Sequence, residues 1–343
     1  MNPTGSGDDA HRPCVAVIIP YYQRSAGLLG RALASVFAQG GGLVARVIVV
    51  DDASPLPAAA EIAALPPEQA SLVTVERQAN AGPGAARNRG LDLVPGDIPF
   101  AAFLDSDDEW LAGHLERAVA ALETGRDLYF SNYRDIGQTV GGFETRGHLD
   151  PARHDPLPGL PDVHAYRGDL RDAVLESCPI ETSTVVFRRS AFADLRFRAE
   201  FRHAYEDLMF WFEMAAASTR VAFSTAIGTQ YGTGINMYRG VVPGSDTGSD
   251  AALRVVLGST LFGAGVRASY PLTAAQGALV RRRLDRNRRD LVYHLLFRLR
   301  RRRPLPRREL AQYLRADPRS WLLVPAEGLR QIAAWVTGRG VQP

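Results

Sequence analysis

Lysine is absent from this 343-residue chain: all 40 of its basic residues are arginine, a bias that reads as base composition rather than chemistry. Cysteine is nearly absent. Cys14 and Cys178 alone exclude a disulfide framework and a cysteine-based zinc site, so a reducing, cytoplasmic compartment is expected. No stretch reaches 18 uninterrupted apolar residues, which argues against a membrane-spanning helix. The opening "MNPTGSGDDAHRP" lacks an apolar core, so a signal peptide is not expected and residues 1–13 read as a flexible N-terminus. There is no internal repeat. Hydrophobic content of 46% and charged content of 22% are those of an ordinary folded protein, and the length suits one elaborated domain with an appendage.

The net charge of +3 hides a division: residues 251–343 hold 19 arginines against 5 acids, whereas residues 1–250 hold 21 against 32. In the acidic part, "CVAVIIP" reads as a buried strand stopped by Pro20, and Ser25 to Gln39 has helical apolar spacing. "ARVIVVDDAS" and "LVTVERQ" are further strands, Ala85 to Leu93 a helix, "IPFAAFLD" a fourth strand, and Trp110 to Glu123 another helix. Strands alternating with helices indicate an α/β fold with a mainly parallel sheet, in which ligands bind beyond the carboxyl ends of the strands. Pro20–Arg24, Asp51–Ser54 and Asp105–Asp108 all fall at such ends. The Gly/Pro-rich stretch 141–168 reads as loop or insertion, "TSTVVFRRSAF" as a strand and helix start, and 201–217 as an aromatic-rich helix.

Four motifs carry possible chemistry, each with a plainer alternative. In "FLDSDDEW", Asp105 and Asp107 stand two apart and can present oxygens to one hard divalent cation; the alternative is a solvated turn whose acids cap the next helix, with Asp108 as cap. Asp51 and Asp52 in "VIVVDDAS" can accept a hydrogen bond from a nucleobase or ribose, or can simply start a turn. "NAGPGAARNRG" allows close backbone approach and offers Arg87 or Arg89 to a phosphate or base, or is a plain loop-to-helix turn. Its glycines do not fit the G-x-G-x-x-G fingerprint, which excludes a dinucleotide-dependent oxidoreductase. In "YED", an acid near a helix start in an aromatic setting can act as general base, or can complement the helix dipole.

The order of these motifs, over residues 14–240, resembles the family 2 inverting glycosyltransferases of the GT-A fold. Gln23 departs from that family's opening motif, which often reads P-x-Y-N. "YGTGINMYRG" looks like a loop of the bacterial glucosyltransferases that build succinoglycan-type exopolysaccharides. The resemblance implies a nucleotide-sugar donor, UDP-linked, and a divalent metal, Mn²⁺ or Mg²⁺. Asp107 would ligate the metal, and Asp105 the ribose or the metal's water shell. Asp51 with Asp52 would hold the base, Arg87 the base or diphosphate, and Pro20, Tyr21 and Tyr22 would line the uracil pocket. Asp207 would deprotonate the acceptor, a glycan or lipid-linked glycan, with Glu206 in support. A histidine ligand after the base, found in some relatives, is not expected, since only His294 follows Asp207. The competing reading is a catalytically silent member serving as a membrane scaffold.

The resemblance sets a catalytic domain at 14–245 and leaves 246–343 as a helical, arginine-rich extension. From Arg281 to Arg308 there are 13 arginines, with Val280, Leu284, Leu291, Leu295 and Leu299 along one stripe. Such a helix suits an anionic membrane surface on the cytoplasmic side, or packs its stripe on the protein's own core. Trp321 and Trp335 suit an interface. Nothing places aromatics or a reader fold beside the charge, so nucleic acid is not an expected partner.

Overall fold

The computed structural model describes residues 14–147, 149–202, 204–232 and 249–336. The chain forms two compact units. The first holds everything up to Arg196 and rejoins at Glu213 to run through the last strand; the second holds Phe197–Phe212 and the helices from Asp250 onward. The boundary expected at 245/246 lies outside the described residues.

The first unit is built on a ten-stranded sheet. Its elements in chain order are β1 (Val15–Tyr21), α1 (Leu28–Phe37), β2 (Val44–Asp51), α2 (Ala58–Ile62), α3 (Pro67–Ala70), β3 (Val73–Arg77), α4 (Pro83–Asp92), β4 (Phe100–Phe103) and β5 (Glu109–Trp110). There follow α5 (His114–Glu123), β6 (Leu128–Asp135), α6 (Gly142–Arg146), β7 (Asp155–Leu157), β8 (Leu160–Ala165), α7 (Leu170–Ser177), β9 (Val186–Arg188), α8 (Glu206–Ala217) and β10 (Val221–Tyr231). The sheet order is β3-β2-β1-β4-β9-β6-β10-β8-β7, with β5 pairing β10. β3, β2, β1 and β4 run parallel, as do β6 and β10, and β9 sits antiparallel between β4 and β6.

Alternation along β1 fixes the layers. Val15, Val17, Ile19 and Tyr21 enter one core with Leu29, Leu33 and Val36 of α1 and Leu115, Val119 and Leu122 of α5. The opposite face carries Ile18, and α4 lies against it so closely that a Cβ on Gly90 would stand 2.3 Å from Ile18 Cγ2. Only glycine permits that approach. Arg87, three residues earlier on the same helical face, is thereby brought over the strand ends.

Two expectations are corrected here. Pro20 does not stop β1, which continues to Tyr21 with Pro20 opposite Val50. The ladder to β4 ends at Ile18–Phe103, so the missing N–H of Pro20 removes no bond on that side. Of the two readings of 141–168, loop or insertion, the loop is corrected: the stretch contains α6 and the β7–β8 hairpin, which joins β10 at the sheet edge. Pro158-Gly159, with Gly159 at φ +78°, supplies the turn, and Pro156 is tolerated because β7 is an edge strand.

His114 opens α5 fully buried, 5.0 Å from the Trp110 ring and 6.0 Å from Tyr129, with neither nitrogen hydrogen-bonded. Burial, and secondarily the charge of Arg117, lowers its pKa to about 3. The unfolded chain therefore binds this proton more readily than the folded one. Stability conferred by neutral His114 is complete above about 6.5 and falls by about 1.4 kcal/mol per pH unit below it. His114→Phe keeps the ring without the nitrogens, so its melting temperature should drop less than the wild type's between pH 7 and pH 5. Equal drops would show that His114 does not set the acid sensitivity.

The second unit is helical. It begins at Phe197, takes in residues 206–212 of α8, whose remainder belongs to the first unit, and continues with α9 (Asp250–Ser269), α10 (Ala274–Arg300), α11 (Arg307–Ala316) and α12 (Ser320–Val336). α9 is long and apolar enough to cross a membrane by length and composition, yet more than half of it is buried, as in a core helix. Leu253, Val256 and Leu257 of α9 pack with Leu291 of α10 and Tyr313 of α11. The stripe of α10 is therefore inward: Val280, Leu284 and Leu291 are buried, whereas Leu299 is exposed. Of the two readings of this basic helix, packing on the protein's own core is the one observed. Arg288, also buried, bonds Asp317 at 2.8 Å and so ties α10 to the turn between α11 and α12.

Candidate donor site at the strand ends

The turn after β4 alternates. Ser106, Asp108 and Trp110 are buried, while Asp105, Asp107 and Glu109 between them are half-buried. Two residues apart on a tight turn closed by Asp108 N–H to the Asp105 carbonyl at 3.0 Å, Asp105 and Asp107 lie on its more open side. Asp108 does not cap a helix: α5 begins only at His114, because Trp110 is drawn into β5 against β10. Its carboxylate instead accepts the Ser183 hydroxyl at 2.6 Å and the Gly232 N–H at 2.9 Å. Burial, then the charges of Asp105 and Asp107, raises its pKa well above the usual carboxylate range.

Ser183 was not singled out by sequence reasoning and organises the turn. Its hydroxyl also accepts the Asp105 N–H at 3.0 Å, and its carbonyl accepts Trp110 Nε1 at 2.7 Å and the Thr229 hydroxyl at 3.0 Å. Gly232, in the loop "YGTGINMYRG", is pressed against the same turn. A Cβ there would stand 1.5 Å from the Asp107 carbonyl oxygen, so no other residue fits without displacing the turn. Ser183 has no sequence signal of its own, since a serine before a short strand looks ordinary, and the loop motif containing Gly232 does not by itself point to the acidic turn.

Arg87 reaches the turn from α4, its guanidinium 2.7 Å from Asp105 Oδ1 and almost wholly buried. Arg89 does not join it and pairs with Glu76 at 2.7 Å on the surface. Asp51 and Asp52, both buried, shape the neighbouring loops. Asp51 accepts the N–H groups of Ser54 at 2.8 Å and Ala58 at 3.0 Å. Asp52 accepts Gln78 Nε2 and the Ala81 N–H, both at 2.8 Å, and the Gly82 N–H at 2.9 Å. Gly82, at φ +92°, then starts α4. Tyr21 turns its ring into the core, where burial first and Glu61 second push its pKa up to about 12, so this stretch offers Pro20 and Tyr22 at the strand end. Gln23, the departure from the family pattern, donates from Nε2 to Ser106 Oγ at 3.0 Å and ties the end of β1 to the acidic turn.

Among the described residues no group of three or more His, Cys, Asp or Glu side chains is arranged around a metal position. The donor set at the turn is two hard carboxylates, the number Mg²⁺ takes when phosphate oxygens and water complete its shell. That chemistry fits a cation carried with a diphosphate.

In the second unit, Asp207 lies in the first turn of α8, its Oδ1 accepting the Leu208 N–H at 2.7 Å, and Glu206 beside it is buried. Tyr205 before them holds a left-handed backbone, φ 68°. α9 fits beneath it, because a Cβ on Gly258 would come within 2.9 Å of the Tyr205 ring. Apart from Tyr231 and Gly232, the loop "YGTGINMYRG" lies outside the described residues.

A family model described as Glycosyl transferase family 2 matches residues 16–195. The chain belongs to glycosyltransferase family 2. This glycosyltransferase is 38% identical over 240 residues to the Succinoglycan biosynthesis protein ExoW of Rhizobium meliloti, covering 66% of this chain and 71% of that protein. Among solved structures it is similar to S. aureus TarS 1–349 in complex with UDP, with TM-score 0.57 and 16% identity over 96% of this chain and 93% of that one. It is also similar to the mannosyltransferase PcManGT from Pyrobaculum calidifontis in complex with GDP-Man and Mn²⁺, with TM-score 0.55 and 17% identity over 94% and 87%. At those identities the structural likeness shows the fold, a GT-A-type mixed sheet flanked by helices, as the order of motifs implied.

Proposed function

We propose that this glycosyltransferase is metal-dependent and inverting, and that it moves a sugar from a UDP-linked donor to a glycan or lipid-linked glycan acceptor in bacterial exopolysaccharide assembly. The observation that carries the reading is the alternating turn: Asp105 and Asp107 half-exposed, Asp108 tied inward, and Arg87 fixed against Asp105. The names of ExoW and of the UDP and Mn²⁺ complexes of similar proteins support it.

In this reading Asp107 and Asp105 hold Mg²⁺ or Mn²⁺, which when bound supplies Lewis-acid neutralisation of the departing diphosphate. Arg87 offers its guanidinium to the diphosphate or base. Pro20 and Tyr22 line the base position, with Asp51 and Asp52 shaping the loops around it. Asp207 takes the proton of the acceptor hydroxyl as that oxygen attacks the anomeric carbon, while the bond to the diphosphate breaks on the opposite face; Glu206 supports the base. One displacement inverts the centre, so an α-linked donor gives a β-linked product. The protein works on the cytoplasmic side, in peripheral contact with an anionic membrane that presents the acceptor.

The test is a UDP titration with and without Mn²⁺, followed by a nucleotide-sugar screen and analysis of the product's anomeric centre. UDP should bind tightly only with Mn²⁺ present, and the transferred sugar should be β-linked. An α-linked product from an α-linked donor would rule out single displacement.

A further inference from the structure

Helix α12 turns one side inward. Val324 packs on the cluster of Leu253, Leu257, Leu291 and Tyr313, a Cβ on Gly328 would meet Val292 at 3.8 Å, and Gln331 Nε2 donates to the Arg289 carbonyl at 3.2 Å. Those three are spaced by four and three, a single helical stripe. The rest of the helix surface should then be polar. It is not. Leu322 is 81% exposed, Leu329 71%, Trp321 66% and Ile332 44%. An apolar face of this kind on an otherwise folded unit marks an interaction site.

The surrounding charge selects the occupant. Arg319 stands exposed just before that helix and Arg330, paired with Glu327 at 2.7 Å, along it; Arg301–Arg303 are exposed between α10 and α11, and Arg307 and Arg308 in the first turn of α11, with Leu299 at the end of α10 and Leu305 exposed nearby. Residues 251–343 hold 19 arginines against 5 acids. A second copy would set two strongly positive surfaces together, whereas a bilayer rich in anionic lipid offers phosphates to the guanidinium groups and acyl chains to the leucines.

We propose that the outward face of α12, bearing Trp321, Leu322, Leu329 and Ile332, enters the headgroup boundary of an anionic membrane, with the flanking arginines on lipid phosphates. The inference rests on the peripheral-membrane reading above. It moves the membrane-facing surface from the stripe of α10, which is buried, to α12. Bound this way, the helix lies in the interface without spanning it.

Flotation of the full chain with phosphatidylglycerol-containing and pure phosphatidylcholine vesicles tests it. Wild type should float with the anionic vesicles, release as salt rises, and ignore the neutral ones. The double variant Leu322→Ser/Leu329→Ser should bind the anionic vesicles about 10-fold or more weakly, with unchanged melting temperature and unchanged Mn²⁺-dependent UDP affinity. Wild type that ignores anionic vesicles at low salt overturns the membrane reading itself. Equal binding by wild type and double variant leaves that reading standing and overturns the assignment to α12. A wild-type dimer that the double variant dissolves would assign the face to self-association and overturn the proposal.

Discussion

Asp207→Asn is expected to bind UDP and Mn²⁺ as the wild type does and to lose roughly 10²–10⁴-fold in transfer, the range for removal of a general base. The amide keeps the shape of the carboxylate and its bond to the Leu208 N–H, and loses only the capacity to take a proton. The position is held firmly. Tyr205 carries a left-handed backbone that costs about 1–3 kcal/mol and persists only where surroundings over-determine it. They do so here: Gly258 leaves room for its ring, Phe262 lies 6.3 Å from it, and Met209 donates its N–H to the Tyr205 carbonyl at 3.1 Å. Met209, Phe210, Trp211 and Phe212 then bury the helix behind the acid. Glu206→Gln should cost less, because a supporting residue does not accept the proton. Near-wild-type turnover in Asp207→Asn, with UDP affinity intact, would remove Asp207 as the base and direct attention to Glu206 or Glu181.

Asp107→Asn should abolish the Mn²⁺-dependent part of UDP binding and leave the melting temperature nearly unchanged. A neutral amide is a much poorer ligand for a hard cation than a carboxylate, and Asp107 is half-exposed rather than part of the core. Its neighbours should behave differently. Asp108→Ala leaves the Gly232 N–H and the Ser183 hydroxyl without their acceptor, a loss of about 1–3 kcal/mol for each buried group. Gly232→Ala drives a methyl into the Asp107 carbonyl. Both should lower the melting temperature and weaken nucleotide binding together, through the shape of the turn. Calorimetric titration beside thermal melts separates the two patterns. Unaltered Mn²⁺-dependent UDP affinity in Asp107→Asn would sink the metal assignment.

What the sequence shows clearly is the part of the fold where local and global signals agree. "AVIIP", "VIVVD" and "FAAFLD" are near-continuous apolar runs because their strands are covered on both faces, and each ends in polar residues where the sheet ends. Arg87 and Asp105, 18 positions apart, meet because α4 returns the chain over β1. The failures have one cause, which is pairing with distant segments. Trp110 has helical neighbours, yet it joins β10, donates its N–H to Ser35 Oγ at 3.0 Å and delays α5 to His114. Asp108 looks like a cap until Ser183 and Gly232 arrive from 75 and 124 residues away. The stripe on α10 has the pattern of a surface helix as much as of a core helix, and only α9 and α11 decide between them.

Ser183 leaves one more mark on the first unit. Its carbonyl receives the indole N–H of Trp110, while its hydroxyl holds Asp108 and the amide of Asp105, so the acidic turn and a buried fluorophore share one residue. Trp211, in the second unit, is also buried, Trp321 faces outward and Trp335 is the fourth, so the emission of Trp110 is separable from the other three by Trp→Phe replacements at each. Any ligand that shifts the turn alters the field along that N–H bond. The protein thus carries an intrinsic optical probe beside its proposed donor site, readable without a label or a coupled assay.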